Sequence, residues 1–85
     1  MDVGSLFARL PEGHRVVSFE GRTYGATRSV HAAGRREKVY AEELGGTDVI
    51  SANLYRVQGR DDLRPCEMPE ARVLAFLAGW VPRSG

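Results

Sequence analysis

Cys66 is the one soft nucleophile in this 85-residue chain, and His14 and His31 are its only imidazole bases. Cys66 lies a few residues ahead of an apolar stretch with helical spacing, where a helix dipole would favour the thiolate. Neither histidine stands at a spacing from Cys66 that marks a thiol enzyme, and a small hydrophobe between Pro65 and Met68 is the simpler reading of that cysteine. Glu42 and Glu43 are consecutive within a β-type run, so they point to opposite faces and cannot share a substrate. Asp61-Asp62 reads as a solvated turn pair, without the alternating acids and distant Glu of a calcium loop. The histidines form no HxH or HxxH pair, and no GxGxxG, P-loop, GxSxG or HExxH motif occurs. The expectation is a non-enzyme with no metal and no cofactor.

The positively charged stretch Tyr24–Tyr40, "YGATRSVHAAGRREKVY", carries a different chemistry. Its Arg, Lys, His and Tyr side chains are of the kinds that hold phosphates and stack on bases. Net charge over the whole chain is only +1. Between His14 and Lys38 six cations face two acids, and between Val39 and Arg72 four cations face seven. Pairing between neighbouring strands is the more common cause of such asymmetry, ahead of a two-sided surface. Eleven of the twelve Lys and Arg residues are Arg, a bias that composition alone can produce.

Length and composition set the frame for these groups. Eighty-five residues with 42% hydrophobic and 27% charged side chains make one globular domain, 1–85, with a thin core. A single cysteine permits no internal disulfide, no apolar run approaches a membrane span, and the first residues lack the pattern of a signal peptide. A reduced, cytoplasmic setting without membrane contact is expected.

Hydrophobic periodicity predicts an α+β domain. Ser5 caps a short N-terminal helix, "LFARL", ended by Pro11. Four β-type runs follow, Arg15–Glu20, Thr23–Ala32, Glu37–Leu44 and Asp48–Val57, joined by glycine-bearing connectors. Two-residue turns at Gly21-Arg22, Gly34-Arg35 and Gly45-Gly46 gather Val17, Phe19, Tyr24, Ala26, Val30, Val39, Ala41, Ile50, Ala52 and Leu54 on one face. The prediction is therefore a four-stranded antiparallel β-meander. A C-terminal α-helix beginning at Pro69 packs across its apolar face through Val73, Leu74, Leu77, Trp80 and Val81, with Phe76 on the flank. Ala71, Ala75, Ala78 and Gly79 give that helix little polar cover, so it is either engulfed or buried in a homodimer. Residues Gly59–Met68 form the long connection into the helix.

On the uncovered face these registers set His31 beside Lys38 and Asn53, and Ser29 beside Tyr40, with Tyr55 further along and Arg35 and Arg36 at the hairpin tip. His31, Arg35, Arg36, Lys38, Tyr40, Asn53 and Tyr55 are the candidate partner-binding residues. The favoured function is a small interaction or regulatory protein, of adaptor or inhibitor type, that binds another protein or complex stoichiometrically. The alternative is a nucleic-acid-binding module using the same face and tip. Arg28 falls among the apolar positions, where an unpaired guanidinium is costly, and Glu43 is the nearest acid by the predicted register.

Overall fold

Three turns decide how this chain folds, and two of them differ from the simplest glycine-based reading. In the computed structural model, which describes residues 2–83, the first hairpin turns at Glu20-Gly21. Both residues take positive φ, 53° and 76°, the conformation whose twist suits a two-residue hairpin. It joins β1 (Gly13–Phe19) to β2 (Arg22–His31), with Phe19 opposite Arg22 and Val17 opposite Tyr24. The second hairpin uses a longer loop. Ala32, Ala33 and Gly34 form a short 3-10 turn with φ of 53°, 57° and 88°, and β3 (Arg36–Glu43) starts at Arg36 opposite His31. The third pairs β3 with β4 (Val49–Val57) as expected, Val39 opposite Ala52 and Ala41 opposite Ile50.

Relative to the predicted registers, the first two ladders are displaced by two residues. A shift of two moves every pair but leaves every side chain on its face, because the strand repeat is two. Nine of the ten apolar positions therefore survive: Val17, Phe19, Tyr24, Ala26, Val39, Ala41, Ile50, Ala52 and Leu54 are all buried in one core, whereas Val30 is only half-buried and outside it.

Among the described residues the sheet has six strands rather than four, in the order β5-β4-β3-β2-β1-β6. Arg60–Pro65, expected as part of a connection, is β5, reached through a tight turn at Gln58-Gly59 with φ of 52° and 75°. Asp61, Asp62 and Pro65 are poor strand formers, and their edge position tolerates them. α1 (Val3–Ala8) starts earlier than expected. Its N-cap is Asp2, whose carboxylate accepts the Ser5 amide at 2.7 Å, so Ser5 lies inside the helix.

α2 (Glu70–Gly79) follows β5, crosses the apolar face and delivers the chain to the opposite edge, where β6 (Val81–Pro82) pairs with Ser18 and Val17 of β1. Pro69 occupies the N-cap position rather than the first helical turn. Trp80 and Val81 are not helical: Pro82 favours extended backbone before it, and Trp80 is extended with ψ of 150°. Trp80 stays buried, whereas Val81 is turned out and exposed. Phe76 is not on a flank. It is fully buried, edge-on to Phe19 and Tyr24 with centroids at 5.2 and 5.6 Å. Phe7 and Leu10 complete the core under the two helices, and the alanine side of α2 is exposed rather than engulfed.

Candidate binding face of the sheet

α1 and α2 share one side of the sheet, so the other is uncovered. Its rows follow from the ladders. Tyr40 lies between Thr27 and Ser51; Lys38 between Ser29 and Asn53, with Arg64 beyond Asn53; and Arg36 between His31 and Tyr55, with Asp62 beyond Tyr55. His31 thus faces Arg36, and Lys38 faces Ser29, each moved by the two-residue shift of the second hairpin. Of the seven predicted residues, His31, Arg36, Lys38, Tyr40, Asn53 and Tyr55 come together on this face. Arg35 stays in the loop, its Nε donating to the Ala32 carbonyl at 3.1 Å while its own carbonyl accepts from the Arg56 amide.

β5, where the sequence predicts a connection, adds neighbours to this face. Arg64 adjoins Asn53 and pairs with Asp62 at 2.7 Å. Cys66 hydrogen-bonds through its amide to the Ser51 carbonyl, and the Asn53 amide group donates to its Sγ at 3.6 Å. Tyr55, Val57, Asp62 and Arg64 line a shallow concavity of about 420 Å³. Glycine before Arg60 and the alternation of Leu63 between charges were the available signals for β5.

The far end of the same face is apolar. Val16 and Val49 flank the row containing Gly25 and Glu42, and Leu44 and Val81 lie next to it; these four side chains are 38 to 53% exposed. Gly25 is buried under two side chains that fill the space above it: a Cβ there would sit 3.3 Å from the His14 ring and 3.5 Å from Leu44. His14 Nδ1 is hydrogen-bonded to Thr27 Oγ1 at 2.9 Å. The row from His14 through Thr27, Tyr40 and Ser51 ends at Cys66, which puts the imidazole and the thiol four strand spacings apart, about 19 Å. They form no nucleophile–base pair. Among the described residues no three metal-ligating side chains cluster.

The covered side uses its charges differently. Glu37 is buried and accepts from Arg28 Nε at 2.8 Å and from Arg56 Nη1 at 2.5 Å. Arg28 also donates to the Leu10 carbonyl at 3.1 Å and Arg56 to the Gly34 carbonyl at 2.8 Å. Glu37, not Glu43, is therefore the partner of Arg28; the two-residue shift brings it into diagonal reach and sets Gly13 opposite Arg28. Burial pushes the Glu37 carboxyl up, but the hydrogen bonds and positive charge of Arg28 and Arg56 outweigh it and hold the group below its usual value. A second cluster ties α2 to two turns. Arg72 bonds Glu20 at 2.7 Å and Asp48 at 2.6 Å, and the Tyr24 hydroxyl donates to Asp48 at 2.5 Å. Asp61 lies within 3.6 Å of Arg56, so the two acids of "DD" sit on opposite faces of β5 rather than in a turn.

No protein-family model matches the chain, and neither curated proteins nor solved structures give a match. Among the described residues no helix is long and apolar enough to cross a membrane.

Proposed function

We propose that this chain is a small non-catalytic binding protein, an adaptor or inhibitor that engages another protein stoichiometrically through the uncovered face of its sheet. One observation carries the reading: of the five large aliphatic side chains exposed among the described residues, Val16, Leu44, Val49 and Val81 lie at one end of that face and only Val57 at the other. Scattered exposed apolar residues need no explanation, whereas a gathered set rimmed by polar side chains is the usual form of a protein contact. The other end supplies the rim, with Arg36, Lys38, Asn53 and Tyr55 around Tyr40.

The test is an immobilised-bait experiment with the native chain and a Val49→Glu variant of unchanged circular dichroism. A partner retained at one-to-one ratio by the native chain and released by Val49→Glu supports the reading. Equal retention by both, or no retained protein, overturns it.

A second reading, nucleic-acid binding, rests on a separate observation. Among the described residues Arg36 and Lys38 have no carboxylate within 4 Å, and they lie between the exposed Tyr40 and the half-buried Tyr55. Cations between aromatics on an open sheet suit single-stranded nucleic acid. Titration with a single-stranded oligonucleotide at two salt concentrations separates the readings. Salt-sensitive binding weakened by Tyr40→Ala and Lys38→Ala supports nucleic acid; no binding at low salt ends it.

A further inference from the structure

The outer edge of β5 is a strand edge with a self-complementary pattern, and we propose that it pairs antiparallel with the β5 edge of a second copy of this chain. Which backbone groups point outward follows from the β4–β5 ladder. The Cys66 amide bonds inward to Ser51, and in an antiparallel ladder donors alternate along the strand. Residues 60, 62 and 64 therefore point their amides at β4, and Asp61 and Leu63 point theirs outward. Pro65, which has no amide hydrogen, falls at an outward position where no bond to β4 is lost.

Place a twofold axis perpendicular to the sheet at Leu63. The two Leu63 residues then exchange both backbone hydrogen bonds, and each Asp61 amide meets the Pro65 carbonyl of the other copy. Asp62 of each copy lies opposite Arg64 of the other, so both flanking pairs join opposite charges on the uncovered face. Those two side chains already pair within one chain at 2.7 Å, and association would extend them into a four-membered network. Shifting the axis by one residue sets like against like: Asp62 on Asp62 with Arg60 on Arg64, or Arg64 on Arg64. An axis at Asp61 runs into the Gln58-Gly59 turn. Leu63, half-buried against the core, would meet its own copy on the helix side. The product is a continuous twelve-stranded sheet with both uncovered faces on one side.

A six-residue edge buries less than the roughly 1,200 Å² of a standard interface, so the expected dimer is weak, in the micromolar range. Sedimentation velocity between about 10 μM and 1 mM should show monomer passing to dimer. Asp62→Arg alone and Arg64→Asp alone should each weaken the dimer about tenfold by opposing like charges across the strands. The double exchange, Asp62→Arg with Arg64→Asp, should restore it, which also separates lost pairing from lost folding. Amide exchange at Asp61 and Leu63 should slow as concentration rises. A chain still monomeric at about 1 mM overturns the proposal. So does a dimer indifferent to both single exchanges, a double exchange that fails to restore, or a dimer abolished by Val49→Glu instead, which would place the contact on the open face.

Discussion

The two faces of this sheet use the same residue type for opposite ends. On the covered face arginine is a structural part: Arg28 and Arg56 grip a buried Glu37, and Arg72 joins α2 to the Glu20 turn and the Asp48 loop. On the uncovered face Arg36 and Lys38 have no carboxylate within 4 Å among the described residues, and Arg64, though it bonds Asp62 at 2.7 Å, keeps 68% of its side chain exposed. A count of cations along the chain therefore measures binding potential poorly. What matters is which face alternation assigns to each one, and whether the fold has already spent its charge on an internal acid. Buried pairs cost desolvation and repay it only when their remaining hydrogen-bonding groups are satisfied. The carbonyls of Leu10 and Gly34 meet that need for Arg28 and Arg56.

The largest effect expected from breaking this division is at Glu37. Glu37→Gln leaves two guanidinium groups beside a neutral amide under the sheet's end, and should cost about 3 kcal/mol in urea denaturation. A loss below about 1 kcal/mol would mean that the cluster is solvated. The same contrast has a pH signature. The Glu37 carboxyl is held below its usual 4.5, and Asp48 below its usual 3.8, chiefly by the Tyr24 hydroxyl and also by Arg72. Depressed folded values mean that both contributions are whole above the unfolded values and fade as pH falls through the folded ones. The urea midpoint should be level from pH 7 to about 5 and fall below about 4.5, and Glu37→Gln should lose part of that slope. Tyr24→Phe comes next. It keeps the buried ring against Phe76 and removes one hydrogen bond to the Asp48 carboxylate, for about 1.5 to 2 kcal/mol.

How much of this division could be read beforehand depended on period rather than on pairing. The apolar face was legible because alternation survives a two-residue slip, so Val17, Tyr24, Val39 and Ile50 keep their predicted face although Tyr24 pairs with Val17 rather than Phe19. The pairing of Arg28 was not legible for the same reason: it depends on which diagonal neighbour the turn supplies. That turn rests on Ala32 and Ala33 in left-handed backbone, a conformation alanine seldom adopts and composition does not announce. β5 was hidden by its acids and proline, residues that mark turns in a central segment and are tolerated at a sheet edge. Six of the seven candidate residues share a face because each took its side from strand parity. Arg35 does not, because it stayed in a loop longer than two residues. Val16, Leu44, Val49 and Val81 were each visible in the chain, but their gathering depends on β6 reaching the edge of β1 after α2 has crossed the sheet.

The smallest stability effects, and the sharpest test of the comparison, belong to the open face. Lys38 and Tyr40 support no element: each is exposed and has only strand neighbours beside it. Lys38→Ala and Tyr40→Ala should therefore leave the urea midpoint within about 0.5 kcal/mol of the native chain. If nucleic acid is the ligand, Lys38→Ala should also flatten the slope of log affinity against log salt by about 0.7, one phosphate contact on a single strand. Tyr40→Ala should lower affinity at every salt concentration and leave that slope unchanged, because stacking releases no counterion. If a protein is the partner, Val49→Glu should outweigh both, since a charge buried among apolar side chains costs more than a rim cation removed. Either pattern keeps stability and binding on separate faces. A drop in stability from Tyr40→Ala as large as that from Tyr24→Phe would instead make the open face part of the scaffold.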